Sequence, residues 1–195
     1  MATQKQKIFN VPNILTLGRI ATIPIIMGLL FLQMGQNTFE FNKTVALVSA
    51  ILFILAGISD LVDGAYARKY GQVSLMGKFF DPMADKLIHL SVMILLIPLG
   101  RFPAWLAILH LFREIFVSGM RSVAAGEGLI ISASKMAKKK TAWLNVGLAA
   151  LLVHYDILGV SAYSFGWVCT AVGTFYSILS GVEYGILFFK EMKKK

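Results

Sequence analysis

Cysteine, histidine and charge are all scarce in this chain of 195 residues. A single thiol, Cys169, permits no internal disulfide and excludes a stapled secreted scaffold; its apolar neighbours fit a packed thiol better than a reactive one. His89, His110 and His154 are the only histidines, and none has a second histidine at ligand spacing. That excludes a histidine-based zinc centre and leaves the three with packing or interfacial roles. Charged residues make up 15% of the chain against 57% hydrophobic, with a mean hydropathy of +0.71. An ordinary soluble domain does not have this composition.

Acidic residues are scarcer than basic ones, ten against nineteen, for a net charge of +9. Such a balance raises the question of nucleic acid, but no nucleic-acid module is present, and the basic residues fall at the ends of apolar segments. The positive-inside rule explains most of them, so no nucleic-acid partner is expected. No internal repeat is visible, and the C-terminal lysine tail is the one low-complexity stretch. No cleavable leader is expected, because Met1 to Val11 is polar and the apolar run from Ile14 has no small-residue cleavage site before further spans.

The composition predicts an all-α fold: a polytopic membrane bundle of six transmembrane helices with a short N-terminal interfacial segment, forming a single integral membrane domain over 1–195. Expected spans run from Ile14 to Met34, Lys43 to Arg68, Gly77 to Leu99, Trp105 onward, Thr141 to Val153 or Ile157, and Tyr163 to Phe189. Pro12 suits an early helical turn or an amphipathic lead-in. Gly35 to Asn42, Tyr70 to Ser74 with Gly71 as pivot, Gly100 to Pro103, and Glu127 to Lys140 are the expected links. Pro82 either starts or kinks the third span.

This arrangement puts Lys5, Lys7, Arg68, Lys69, Lys78, Lys135, Lys138, Lys139, Lys140, Lys190 and the terminal lysines 193–195 on one side, against Lys43 and Arg101 on the other. Arg19, Lys86, Arg113 and Arg121 are embedded. The imbalance predicts a multi-pass protein of the cell membrane with both termini and the acidic site cytoplasmic.

The informative stretch is ISDLVDGAYARKYGQVSLMGKFFDPMADK, Ile58 to Lys86. Asp60 and Asp63 stand at i and i+3, and Asp81 and Asp85 at i and i+4, so each pair shares one face of its helix. The two pairs are expected to face each other across a helical hairpin. Four carboxylates beside hydrocarbon repel one another unless cations neutralise them. Oxygen donors without convergent His or Cys select a hard ion, Mg2+ or Mn2+, and with a diphosphate nearby they suffice for two ions. Gly64, Ala67 and Gly77 leave room for a nucleotide to approach, or serve tight helix packing. Arg68 could hold a phosphate or the base.

Two further groups of charges stand out. Asn13, Thr16 and Arg19 recur at spacing three on one face of the first span, where Arg19 is either an interfacial anchor or a contact to phosphate or nucleotide. In the fourth span Arg113 and Arg121, at i and i+8, two turns apart, return to the same broad face, while the adjacent Arg113 and Glu114 are expected to point in different directions. Glu114 is either functional or the structural partner of a basic side chain. With Lys135, Lys138 and Lys140, the two arginines form a cationic wall suited to an acceptor that itself carries phosphate.

Asp60, Asp63, Gly64, Ala67, Arg68, Gly77, Asp81 and Asp85 spell D-x2-D-G-x2-A-R-x8-G-x3-D-x3-D. This pattern resembles the signature of the CDP-alcohol phosphotransferase family, whose members transfer a phosphatidyl or similar group from a CDP-linked donor to an alcohol and release CMP. The resemblance implies that Asp60, Asp63, Asp81 and Asp85 bind two metal ions and that Asp85 is also the catalytic general base. It further implies that Gly64, Ala67, Arg68, Gly77 and Ser74 line the CDP pocket. The string PN-x2-T-x2-R, with Asn13, Thr16 and Arg19, is similar to the start of many members and adds those three to the donor-binding set.

REIFVSGMR and KKKTA are similar to segments of the family branch that uses glycerol 3-phosphate. Ala137 stands where that branch usually has glycine, and Leu144 where it often has glutamine. The implied reaction is CDP-diacylglycerol plus glycerol 3-phosphate giving phosphatidylglycerophosphate and CMP, with Arg113, Arg121, Lys135, Lys138 and Lys140 on the acceptor phosphate. Membrane lipids and a second copy of the chain, as a homodimer, are the other implied partners. A sibling enzyme using inositol phosphate is the alternative. Polyprenyl transfer lacks the unbroken DG-x2-AR string. A divalent-cation transporter would need further acids along the third, fifth or sixth span.

Overall fold

The computed structural model describes residues 11–35, 38–70, 75–129, 134–157 and 159–193, with side chains described throughout except at 11–15, 60–70 and 75–82. Among these residues it is almost wholly helical: α1 (Val11–Gln33), α2 (Phe39–Tyr70), α3 (Leu75–Leu96), α4 (Ala104–Gly126), α5 (Lys135–Val153) and α6 (Ala162–Met192). Among the described residues, three stretches are long and apolar enough to cross a membrane, Thr16–Gln33, Phe39–Ser59 and Ala162–Met192. An all-α membrane protein was expected and the helical class agrees. One departure is a small antiparallel ribbon between α5 and α6, where β1 (Asp156–Ile157) pairs with β2 (Val160–Ser161) around Gly159 at φ 80°.

Several boundaries differ from the sequence expectation for local reasons. α2 begins at Phe39, earlier than Lys43, and α1 contains Pro12 in its first turn with no separate lead-in among the described residues. α3 begins at Leu75, so Pro82 lies inside it and does not start it. Lys135 to Lys140 are helical rather than part of the preceding link. Ser134 caps that helix by accepting the Ala137 N–H at 3.2 Å, and lysine is a good helix former. Gly71 lies outside the described residues.

Two helices close with the same device. After α3, the Gly100 N–H reaches Ile97 O and the Arg101 N–H reaches Leu96 O; after α4, Gly128 reaches Ala125 O and Leu129 reaches Ala124 O. Both are Schellman closures whose pivot must enter the left-handed region, which glycine does at φ 69° and 74°.

The chain divides into two compact units, Met1–Leu95 and Leu96–Lys195. In the first, α1 packs on α2. Its buried stripe, Thr16, Arg19, Ile23, Ile26, Leu30 and Gln33, follows the alternating three-and-four spacing of one helical face. On α2, Ala46, Ser49, Ala50 and Phe53 are buried, and the small side chains of the first three admit close helix approach.

In the second unit α6 packs along α5 and also contacts α4. Its inward stripe is built of small residues, Gly166, Thr170, Gly173, Ser177 and Ser180. A Cβ added to Gly147 of α5 would come within 3 Å of Thr170, and one on Gly166 within 3 Å of Leu151. Close backbone approach, rather than apolar burial alone, joins these helices, as expected where lipid tails are as apolar as leucine. Cys169 is buried in this seam, as its sequence context predicts.

Near the α5–α6 link, Arg101 donates from Nη1 to Leu152 O at 3.3 Å, and His154 takes the left-handed conformation at φ 63° with its ring edge-on to Tyr155 and Tyr163. Burial pushes the His154 imidazole below its ordinary pKa, and the Arg101 charge adds to the effect.

Candidate active site

The signature residues fall on two helices of the first unit. α2 is continuous through Asp60, Asp63, Gly64, Ala67 and Arg68, and α3 through Gly77, Asp81 and Asp85. Helical rise therefore separates Asp60 from Asp63 by about 4.5 Å along the axis, and Asp81 from Asp85 by about 6 Å. The side chains of Asn13, Asp60, Asp63, Ala67, Arg68 and Asp81, and the surroundings of Gly64 and Gly77, lie outside what is described, as does Ser74 altogether.

Asp85 is described, and its carboxylate is partly exposed. The Nδ1 of His89, one turn on, lies 3.5 Å from its Oδ1 and 2.6 Å from its main-chain oxygen, and the ring stands edge-on to Phe53 at 5.8 Å. His89 packs against α2, as expected, but it also touches the candidate base. The sequence signal for that contact was present: a histidine four residues after an aspartate in a helix.

Thr16 and Arg19 share a buried face of α1, being 1% and 2% exposed. Arg19 is therefore not an interfacial anchor. Its Nη2 donates to Ser59 Oγ at 3.4 Å, one residue before Asp60. Ser59 had no distinguishing sequence feature.

The second unit gathers most of the other candidates. Arg113 of α4 donates from Nη1 to Glu114 Oε1 at 2.8 Å and from Nη2 to Ser180 Oγ of α6 at 2.7 Å. Lys140 of α5 donates to the same Glu114 oxygen. Arg113 and Glu114 thus meet despite their adjacency, because the long arginine side chain spans the angle between neighbouring Cβ directions. Arg121 is exposed, yet its Nη2 donates to the hydroxyl of buried Tyr184, with the guanidinium carbon 5.0 Å from the ring centroid. Tyr184 sits against Val117, Met120 and Phe188.

Lys139 lies 5.6 Å over the Tyr176 ring, whereas Lys135 and Lys138 are exposed on the first turns of α5. His110 takes a packing role, as expected, with Nε2 3.0 Å from Thr174 Oγ1. Ser180 and Tyr184 were not singled out in the sequence, where a serine and a tyrosine in an apolar helix look ordinary.

The chemistry of the two sets differs. Carboxylates at one-turn spacing on α2 and on α3 are oxygen donors of the kind that suits a hard divalent ion. The Arg113 guanidinium and the Lys140 ammonium share one carboxylate, with more donors than it can take, and Arg121 adds a second guanidinium on the same helix as Arg113; such a cationic set fits a polyvalent anion.

The family model for CDP-alcohol phosphatidyltransferase matches residues 9–178. A Bacillus subtilis protein named CDP-diacylglycerol--glycerol-3-phosphate 3-phosphatidyltransferase is 38% identical over 180 residues, covering 90% of this chain and 93% of its own. A Rickettsia typhi protein of the same name is 34% identical, covering 90% and 94%. A Mycobacterium tuberculosis protein named probable phosphatidylglycerophosphate synthase is 33% identical, covering 92% and 82%. With a family model spanning most of its length and relatives matched almost from end to end, the chain belongs to the CDP-alcohol phosphatidyltransferase family.

Proposed function

We propose that this chain transfers the phosphatidyl group of CDP-diacylglycerol to sn-glycerol 3-phosphate, giving phosphatidylglycerophosphate and CMP. The observation that carries the choice of acceptor is the gathering of Arg113, Lys140 and Arg121 on α4 and α5, tied by Glu114, Ser180 and Tyr184. Serine, choline or ethanolamine would give these cations no phosphate to meet. Lys135 and Lys138, exposed near the start of α5, would add to the attraction of the acceptor.

Asp85 would take the proton from a terminal hydroxyl of glycerol 3-phosphate as its oxygen bonds to the β-phosphorus. The bond from that phosphorus to the bridging oxygen breaks, and CMP leaves with the electron pair. Gly64, Ala67, Arg68, Ser74 and Gly77 would line the CDP pocket, with Asn13, Thr16 and Arg19 contributing from α1. Asp60, Asp63, Asp81 and Asp85 would hold two divalent ions, Mg2+ or Mn2+, which would neutralise the carboxylates and polarise the diphosphate. Arg19 at Ser59 supports this placement of α1 beside the start of the signature.

The same reading gives a single domain of six membrane spans over 1–195, in the cell membrane, with both termini and the reaction on the cytoplasmic side, working as a homodimer. The lysines on α5 and at the end of α6 support that orientation. Purified protein supplied with CDP-diacylglycerol and Mg2+ or Mn2+ is expected to release CMP when glycerol 3-phosphate is added. Release with inositol phosphate and none with glycerol 3-phosphate would assign it to a sibling reaction.

A further inference from the structure

We propose that Ser180 and Tyr184 of α6 are positioning residues that converge Arg113 and Arg121 on the phosphate of the acceptor. This inference rests on the acceptor reading above and extends it to a helix outside both the signature and the basic wall.

The geometry is one of mismatched spacing. Arg113 and Arg121 are eight residues apart on α4, about 12 Å along its axis, while their partners on α6 are four residues apart, about 6 Å. Helical side chains lean toward the N-terminus, so the ring of Tyr184 leans toward Ser180 and shortens the separation of the two oxygens further. Arg113 donates to Ser180 Oγ at 2.7 Å, and Arg121 donates to the Tyr184 hydroxyl. Each guanidinium is thereby held nearer its counterpart than the rise of α4 alone would place it.

Holding two like charges close together is unfavourable until an anion arrives. The hydroxyl oxygens, and Glu114 on Arg113, supply the acceptors that make the arrangement stable beforehand. The anchors differ in rigidity from what they hold. Ser180 is fully buried and Tyr184 is 2% exposed, whereas Arg121 is an exposed residue with several rotatable bonds. Fixing it before the acceptor binds removes an entropic cost from that step. Since the anchors touch arginines and not the reacting atoms, their loss should weaken acceptor binding and leave donor binding alone.

The test uses Tyr184→Phe, which keeps the ring and removes the hydroxyl, and Ser180→Ala, in the full-length protein in mixed micelles. Release of CMP is measured against each substrate in turn, together with the thermal unfolding midpoint. Tyr184→Phe is expected to raise the KM for glycerol 3-phosphate about tenfold, as loss of a hydrogen bond to a charged group does. The KM for CDP-diacylglycerol, the kcat and the midpoint should stay close to wild type. Ser180→Ala should shift the acceptor KM in the same direction.

An unchanged acceptor KM in Tyr184→Phe overturns the inference, as does a parallel rise in both KM values with a lowered midpoint, which is the mark of a structural role. If Tyr184→Phe does not fold, Ser180→Ala decides by the same criteria. Wild-type protein that is inactive with glycerol 3-phosphate sinks the parent reading and this inference together; active wild type with unaltered variants sinks the inference alone.

Discussion

Glu114 receives Arg113 of its own helix and Lys140 of α5 on a single carboxylate oxygen, Oε1. All three side chains are mostly shielded from solvent, at 11% exposure for Arg113, 12% for Lys140 and 18% for Glu114. Replacing Glu114 with alanine leaves two cations facing each other without their shared acceptor. Breaking a shielded ion pair from one side costs about 3 kcal/mol. Glu114→Ala is therefore expected to lower the unfolding midpoint clearly, measured by thermal unfolding in detergent, whereas Glu114→Gln, which still offers an oxygen, should lose less.

Asp85→Asn tests the assignment of the base. Removing a general base typically costs two to four orders of magnitude in turnover, about 10²–10⁴-fold. CMP release should fall by that amount while CDP-diacylglycerol still protects the protein against heat. Turnover close to wild type would remove Asp85 from the role.

The α5–α6 seam can be tested with a matched pair of substitutions. A methyl group on Gly147 would collide with both the hydroxyl and the backbone nitrogen of Thr170, so the helices must part. Gly147→Ala is expected to destabilise the protein by about 1–3 kcal/mol, the usual range for overpacking. Gly185→Ala, on the same α6 with nothing within 4 Å of the added atom, should be neutral or mildly stabilising. Midpoints from the two variants, measured side by side, check the difference.

Acidification should weaken the α5–α6 link. His154 has its pKa lowered in the folded protein by burial and then by Arg101, so the unfolded chain binds the proton more readily. Its contribution to stability is present above the unfolded value of about 6.5 and is lost as pH falls toward the folded one. His154→Asn, which tolerates the left-handed backbone at this position, should flatten the fall of the midpoint below pH 6.5. An unchanged slope in that variant would discount His154 as its source.

The placement of the aspartates at helical spacing on α2 and α3 was legible, because spacing on a helix is fixed by its period. Arg113 and Arg121 were legible for the same reason, since residues eight apart return to one face. Their anchors were not. Ser180 and Tyr184 gain meaning only from what packs opposite them, and nothing in the local sequence of α6 reports its neighbour. The meeting of Arg113 with Glu114 was misjudged because Cβ directions alone ignore the reach of a guanidinium.

Helix ends were the least legible part of the fold. The lysines 135 and 138–140 looked like a solvated link, but Ser134 starts a helix there and the charges ride on its first turns. The β1–β2 ribbon involves two residues on each side, too few to produce an alternating pattern. The sequence left Arg19 as either an interfacial anchor or a contact to phosphate or nucleotide, and its burial against Ser59, which comes from the packing of α1 on α2, was not legible there.

The most direct measurement is the stoichiometry of transfer, with radiolabelled glycerol 3-phosphate and CDP-diacylglycerol in mixed micelles containing the purified protein and Mn2+. One labelled glycerol 3-phosphate should enter the lipid phase as phosphatidylglycerophosphate for each CMP released. CMP appearing without label in the lipid, or no CMP with this acceptor while inositol phosphate supports release, would contradict the proposed reaction.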